Sequence, residues 1–250
     1  MDKELRLFGV LALSLAVVGS TWIAADSWKD VKTRTVRALT VTGSAKRRIT
    51  SDLIEWEASL QTEGPDRTTA YRALHEQVDK TITYLKAQGL SDKEIRASSV
   101  VTSQIVETEQ VGSGENRVAR QVHKGFRTSQ AILVTSNQVD KVERISREVT
   151  GLIDQGVPVT SDTPRYFYTK LGELKIEMLA EASKDARTRA ERMLKSAGDA
   201  KLGKLRQADM GVINVNPANS TSTSWDGNND TTALEKDIIT IVHVTFEVAG

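Results

Sequence analysis

The sequence predicts an α+β fold, in which helices pack on one face of a mainly antiparallel sheet, preceded by one N-terminal transmembrane helix. Three observations support this prediction. Apolar or small residues recur every three or four positions from Leu171 to Gly198, which predicts a long amphipathic helix. The segments around that helix alternate with period two, as strands do. Near the N-terminus, a long run of residues carries no charge.

The uncharged run from Leu7 to Ala25 has the length of a membrane span. At about 1.5 Å of rise per residue it extends roughly 28 Å as a helix, close to the hydrocarbon core of a bilayer. Trp22 and Trp28 lie where interfacial aromatic residues are expected. We therefore expect a membrane anchor over residues 1–28, and the alternative is a signal peptide cleaved after Ala25. The residues expected to contact lipid are Leu7, Phe8, Leu11, Leu15, Val18, Trp22 and Ile23.

A polar linker over residues 29–38 precedes one domain, residues 39–250. Leu39 to Thr50 alternates weakly and predicts a first strand. The second strand, Asp52 to Thr62, alternates clearly, with Ile54, Trp56, Ala58 and Leu60 on one buried face. A helix follows from Thr68 to Gln88 and ends at Gly89. Its predicted buried stripe consists of Tyr71, Leu74, Val78, Ile82 and Leu85.

Two long strands, Arg96 to Gln110 and Val118 to Thr135, are predicted to form a hairpin. A second helix is expected from Gln138 to Asp154, with Val142, Ile145, Val149 and Leu152 turned inward. Val157 to Thr169 is predicted to be extended near a sheet edge, because Pro158 and Pro164 cannot donate to a strand ladder.

The long helix carries its buried stripe at Leu171, Leu174, Met178, Ala182, Ala186, Ala190, Met193 and Ala197. Lys204 to Val215 and Ile238 to Val248 are predicted strands, and the second places Ile238, Val242, Val244, Phe246 and Val248 on one face. Residues 216–236 between them are rich in Asn, Ser, Thr, Asp and Gly, which predicts a flexible loop.

Several phrases of the chain resemble the SIMPL-domain family. Val41-Thr42-Gly43-Ser44 with Asp52 is similar to the family's opening phrase, although Ala45 replaces its second glycine and Ser51 its proline. Phe126 to Gln130 resembles the hairpin strand of the family, and Lys175, Ala182, Asp185, Ala186 and Ala190 match its helix phrase. The resemblance extends from about Leu39 to Val248.

The resemblance implies a curved sheet with helices on one face and, in some members, a ring of many subunits. Bacterial members are mostly exported envelope proteins that are loosely associated with envelope and oxidative stress. The family has no agreed catalytic residues. The resemblance therefore implies an exported, single-pass protein of the inner membrane with its main domain in the periplasm. The basic residues Lys29, Lys32, Arg34 and Arg37 after the anchor favour the opposite orientation by the positive-inside rule.

The sequence lacks the common catalytic and ligand-binding motifs. It has no cysteine, its net charge is +1, and His75, His123 and His243 lack metal-ligand spacing. Residues 198–204 match the start of a phosphate-binding loop, but Leu205 replaces the Ser or Thr that holds magnesium. We expect no catalytic residues, no metal and no cofactor. Asp185 is expected to pair with Arg189, or to cap a backbone group.

The expected partners are the lipid bilayer and further copies of this chain. Lys46-Arg47-Arg48 has no aromatic platform beside it, so we expect an exposed strand end and no nucleic-acid binding. Trp225, Tyr166 and Tyr168 are candidate interface residues. The leading hypothesis is a membrane-tethered envelope protein that works by assembly or binding. The alternatives are a hydrolase with a composite carboxylate site and a periplasmic ligand-binding or holdase domain.

Overall fold

The structure is a computed structural model and describes residues 17–25, 28, 37–112, 117–198 and 200–249. Strands and helices are mixed along the chain, which confirms the predicted α+β class. The strands are β1 (Ala38–Thr50), β2 (Leu53–Gly64), β3 (Ile95–Ala97), β4 (Val101–Val111), β5 (Val118–Ser136), β6 (Val159–Ser161), β7 (Arg165–Phe167), β8 (Lys201–Pro217), β9 (Asn228–Asn229) and β10 (Glu235–Ala249). The helices are α1 (Arg67–Ala87), α2 (Val139–Glu148), which continues as a 3-10 helix (Val149–Gln155), and α3 (Leu171–Ala197).

The strands form two sheets, whereas the sequence predicted one. One sheet has the order β1-β10-β8-β9, and the other has the order β3-β5-β2-β6, with β4 paired to β5 and β7 to β2. The pair β8–β9 is parallel, and every pair that β2 and β5 make is antiparallel. An alternating pattern shows which side chains share a face, but not which strands are neighbours. The number of sheets therefore could not be predicted from the pattern alone.

The chain divides into two compact units. The first unit contains the described residues up to Gly43, together with Ser183–Met210 and those from Val242 onward. The second unit contains the described residues of Ser44–Ala182 and Gly211–Ile241. β1, α3, β8 and β10 each contribute residues to both units.

The core of the second unit lies on the predicted face of β2. Ile54, Trp56, Ala58 and Leu60 are all buried, and helices α1 and α2 with the 3-10 helix pack against them. The predicted inward residues of the second helix, Val142, Ile145, Val149 and Leu152, are buried in the same cluster. The placement of these helices on one sheet face is thus confirmed for the second unit.

Helix α1 begins at an N-cap that the sequence provides. The Asp66 carboxylate accepts hydrogen bonds from Thr69 N at 3.0 Å and from Thr69 Oγ1 at 2.7 Å. The predicted burial of Tyr71 is wrong, because Tyr71 is half exposed and Ala70 is buried. A Cβ on Gly64 would lie 2.7 Å from Ala70 N, so the first turn of α1 sits too close to β2 for a tyrosine to point inward.

The first strand of the predicted hairpin is divided into β3 and β4. Between them, the Ser98 hydroxyl accepts a hydrogen bond from Ala131 N at 3.0 Å, and Gln130 Nε2 donates to Ser98 O at 2.7 Å. One side-chain bond to the backbone of β5 and one from a β5 side chain to the backbone of Ser98 thus replace part of the strand ladder at this point. The hairpin itself is confirmed, with Val111 opposite Val118.

The small-residue stripe of α3 is buried as predicted through its middle. Leu174, Met178, Ala182, Ala186 and Ala190 are all buried. Met193 is half exposed and Ala197 is exposed, so the predicted stripe is wrong in the last two turns. Gly198 follows the helix with a φ of 143°, a positive value that favours glycine.

We predict that Ala186→Leu destabilises the protein by about 1–3 kcal/mol, because the added atoms overpack a fully buried position. Lys184→Ala, on the exposed side of α3, should change the free energy of unfolding by no more than roughly 0.5 kcal/mol. Urea denaturation measures both. Equal midpoints for the two variants would contradict the burial of Ala186.

Candidate functional site

The two strands of the hairpin extend past the sheet that carries the core. The last residue of β2, Gly64, lies opposite Phe126 of β5, so residues 118–125 pair only with β4 within the described part of the chain. We call Val101–Val111 together with residues 118–125 the hairpin arm. Among the described residues β4 likewise pairs only with β5, so the arm has two unpaired edges.

The arm leaves the sheet at a glycine. Gly125 has a φ of 143°, and a Cβ on it would lie 2.5 Å from Gly64 O. The pairing register shifts at the same level, between Ile105 and Val106 of β4. A bulge of this kind bends a strand and increases its twist, so the position of the arm depends on a residue without a side chain.

The two strands of the arm carry charges of opposite sign. β4 carries Glu107 and Glu109, whereas the facing part of β5 carries Arg120 and Lys124. Lys124 Nζ lies 2.7 Å from Glu109 Oε1 and 3.7 Å from Glu107 Oε2. The hydrogen bond that Lys124 donates to the Glu109 carboxylate raises the pKa of Lys124 above its usual value. The acidic side chains of the arm therefore lie on β4 and the basic ones on β5, and Lys124 joins the two strands.

Valines on the hairpin arm are exposed to solvent. Their exposed fractions range from 47% to 67%, although buried valines are the norm in a folded domain. Exposed apolar side chains beside unpaired strand edges are typical of surfaces that bind other chains. These residues are Val101, Val106, Val111 and Val118.

A buried ion pair lies inside the polar segment that we call the polar loop, residues 216–236. Lys236 is 1% exposed, and its Nζ lies 3.0 Å from Asp230 Oδ2 and donates to the Asp230 carbonyl. The Asp230 carboxylate also accepts hydrogen bonds from Thr232 and Ala233. Burial raises the pKa of Asp230, but the bonds from Thr232, Lys236 and Ala233 outweigh it and lower the pKa to about 2.

The basic run of β1 is paired with carboxylates of this chain. Asp237 is 1% exposed and accepts hydrogen bonds from Arg48 Nε at 2.9 Å and from Asn219 N at 2.7 Å, while Lys46 Nζ lies 3.0 Å away. The bond from Arg48, opposed by burial, holds the pKa of Asp237 well below its usual range. Arg47 binds two carboxylates of α3, Glu177 and Glu181.

The three aromatic interface candidates have different environments. Trp225, in the polar loop, is 93% exposed and is free to contact a partner. Tyr166 is 8% exposed and belongs to the core of the second unit, so its side chain is not available to a partner. Tyr168 is partly buried and lines a cavity of about 70 Å³ together with Asp230 and Lys236.

The three histidines lie on three different elements, α1, β5 and β10. His75 lies 3.8 Å from Asp79 on α1, His123 contacts Phe126 in β5, and Thr42 Oγ1 lies 3.0 Å from His243 Nδ1. Within the described residues no group of three or more His, Cys, Asp or Glu could hold a metal ion. The described residues of 198–204 join the end of α3 to the start of β8, the reverse of the strand-to-helix order of a phosphate-binding loop.

The predicted pairing of Asp185 with Arg189 is confirmed, because Arg189 Nε lies 2.8 Å from Asp185 Oδ2 on α3.

Most of the predicted membrane anchor, including Leu7, Phe8, Leu11 and Leu15, lies outside the described residues.

Residues 17–25 of the predicted anchor are helical, and Val18, Trp22 and Ile23 are exposed there. Among the residues that the structure describes, no helix has the length and hydropathy that crossing a membrane requires. The predicted linker, residues 29–38, also lies outside the described part of the chain except for Arg37 and Ala38.

The buried charges of Asp230 and Lys236 were not predicted from the sequence. Asp230 sits among short polar residues and resembles any solvated loop carboxylate. Lys236 could have been found, because it precedes Ile238 by two residues and therefore shares the buried face of β10. A lysine in phase with a buried strand face indicates a buried partner of opposite charge.

Comparison with known proteins agrees with the resemblance seen in the sequence. The model of the SIMPL family, described as a protein of unknown function (DUF541), matches residues 39–246. No curated protein matches the chain. The matched region begins in β1, ends in β10 and covers most of the 250 residues. The chain therefore belongs to the SIMPL family.

Proposed function

We propose that this protein is a membrane-tethered envelope protein that works by assembling with further copies of itself. The observation that supports this proposal is the hairpin arm, whose two strand edges are unpaired within the described residues. An unpaired edge presents a row of backbone N–H and C=O groups that can bind another strand. The family resemblance adds a periplasmic location at the inner membrane and a role in envelope or oxidative stress protection.

The charges of the arm favour a second copy of this chain as the partner. The acidic edge of β4 carries Glu107 and Glu109, and the basic edge of β5 carries Arg120 and Lys124. When the β4 edge of one copy meets the β5 edge of the next, charges of opposite sign face each other. Pairing of like edges would instead place like charges together, which is unfavourable.

Pairing of unlike edges is a head-to-tail contact. Each copy then keeps one free edge of each kind, so further copies can add until the series closes. A closed ring leaves no strand edge of the arm exposed, and it places the exposed valines of the arm beside the side chains of the neighbouring strand. With an anchor on each subunit, such a ring holds the membrane at many points.

Light scattering on the detergent-solubilised full chain tests this proposal. After correction for bound detergent, we expect a particle of many subunits. Glu107→Lys with Glu109→Lys makes both strands of the arm basic, and Arg120→Glu with Lys124→Glu makes both acidic. Each double variant alone should remain a monomer at low salt, because like charges would then face each other at every contact.

Mixing the two double variants is the decisive test. A basic arm and an acidic arm attract, so the mixture should form the large particle that neither variant forms alone. Glu148→Lys with Glu173→Lys changes two exposed carboxylates outside the arm and serves as the matched control, which should assemble like the unmodified chain. A monomer of the unmodified chain at micromolar concentration would refute the proposal.

A further inference from the structure

We propose that the first unit carries a basic surface that binds an anionic lipid surface, an inference that rests on the proposed membrane tether. The described residues of this unit contain nine lysines and arginines against four aspartates and glutamates, a net charge of +5. Those of the second unit contain 20 against 23, a net charge of −3. The near-zero net charge of the whole chain therefore results from a positive first unit and a negative second unit.

Five of these basic side chains are exposed and have no ion pair with any described residue. Two of them, Arg192 and Lys195, are three residues apart and so share a face of the last turns of α3. The other three follow at the start of β8, where Lys201 lies on one face of the strand and Lys204 and Arg206 on the other. A salt bridge would neutralise such charges, as Asp237 does for Lys46 in the second unit. The five residues are Arg192, Lys195, Lys201, Lys204 and Arg206, and we call them the basic surface.

Apolar side chains stand among these charges. Leu205 is 60% exposed and shares a face of β8 with Lys201, whereas Met210, 76% exposed, shares the other face with Lys204 and Arg206. On α3, Met193 beside Arg192 is 52% exposed. Exposed basic and apolar side chains on the same face suit the boundary of a bilayer, where the charges contact headgroups and the apolar groups enter the acyl region.

A cavity of about 370 Å³ lies where α3 ends and β8 begins. Arg187, Lys195 and Lys201 line it, together with apolar Leu194 and Leu202. Arg187 is paired with Glu191, which leaves the two lysines to balance a negative ligand. The cavity can therefore accept a lipid phosphate group at its rim.

The covalent structure keeps the basic surface close to the bilayer. The uncharged run of the predicted anchor ends at Ala25, thirteen positions before strand β1 of the first unit begins at Ala38. Thirteen residues cannot extend beyond roughly 45 Å even when fully stretched. Each Lys or Arg near an anionic membrane strengthens binding by about fivefold, so five of them form a strong contact at such short range.

A single fluorescent label can detect this contact, because the chain has no cysteine of its own. We would replace Leu205 with Cys in the full chain and attach a polarity-sensitive dye. With vesicles that contain about one-third phosphatidylglycerol in phosphatidylcholine, dye emission should shift to shorter wavelength. Vesicles of phosphatidylcholine alone should give no shift. Roughly 0.5 M NaCl should reverse the shift, because the Debye length is then only about 4 Å.

Charge reversal identifies the residues that are responsible. The triple substitution Lys195→Glu, Lys201→Glu and Lys204→Glu should weaken binding of the first unit to the anionic vesicles by at least about 100-fold and abolish the shift. The matched control reverses three exposed basic residues of the second unit that have no ion pair with a described residue, Lys93→Glu, Arg144→Glu and Lys175→Glu. This control changes the net charge of the chain by the same amount as the triple variant, and its dye emission should still shift with anionic vesicles.

Flotation separates this inference from the proposed tether. A chain that floats with neutral vesicles in high salt is tethered by its N-terminal segment. If the chain does not float there, the proposed tether is refuted. The basic surface would still be supported if the chain floated with anionic vesicles at low salt and the triple variant did not. Equal dye emission with neutral and anionic vesicles, or an unchanged shift in the triple variant, would overturn the inference.

Discussion

Asp230→Ala should lower the free energy of unfolding by about 3–5 kcal/mol, because it leaves the ammonium group of Lys236 buried without its counter-charge. Lys236 is almost fully buried, and its side-chain bonds all go to Asp230 among the described residues. The substitution also removes the acceptor for Thr232 and Ala233, which hold the turn of the polar loop. Urea denaturation of the variant and the unmodified protein measures the loss.

Two further variants make this prediction specific. Asp230→Ala combined with Lys236→Met removes both charges and should recover much of the lost stability, since replacing a buried ion pair by apolar groups is often neutral. Asp226→Ala removes an exposed carboxylate of the same loop and should cost no more than roughly 0.5 kcal/mol. If the single and double variants were equally unstable, the buried charge would not be the cause.

The pKa of Asp230 gives the same ion pair a dependence on pH. Its folded pKa of about 2 lies below the value of an unfolded aspartate, near 3.9. A depressed folded pKa stabilises the native state above the unfolded pKa, and this contribution disappears as pH falls from about 5 towards 2. The double variant without the pair should lose less stability over that pH range than the unmodified protein.

Trp56→Ala should cost about 3–5 kcal/mol, because it opens a large cavity in the core of the second unit. Trp56 is the largest fully buried side chain among the described residues, and its Nε1 donates to Ser161 Oγ at 2.9 Å. That hydroxyl in turn donates to Ser146 O at 2.7 Å, so the indole also completes a buried hydrogen-bond chain.

Trp225→Ala is the matched control for this prediction. Its side chain is almost fully exposed, so its removal should change the unfolding free energy by no more than roughly 0.5 kcal/mol. Thermal unfolding followed by circular dichroism compares the two variants without relying on tryptophan emission. A large loss of stability in the Trp225 variant would show that this indole packs against its own domain.

Local patterns predicted the elements well where one face meets a core. Ile54, Trp56, Ala58 and Leu60 alternate so regularly that β2 and its buried face followed directly from the sequence. The burial of Tyr71 was predicted wrongly, because burial on α1 depends on how closely the helix approaches β2, and Gly64 allows an approach too close for a tyrosine.

The candidate surfaces were predicted only in part. The hairpin could be predicted from its two long strands, but its free edges depend on where β2 ends, a property of pairing that no local pattern contains. The basic surface was missed because its residues come from α3 and β8, and the near-zero net charge of the whole chain conceals them.

The hairpin arm also has a consequence for how copies align with one another. Both faces of the arm are largely exposed, so no buried apolar face fixes the register between the strands of neighbouring copies. In the proposed assembly, Glu107, Glu109, Arg120 and Lys124 then set that register through their charges. Raising the ionic strength weakens this alignment and lets neighbouring strands slip by two residues at a time, so the geometry of the assembly becomes a function of salt.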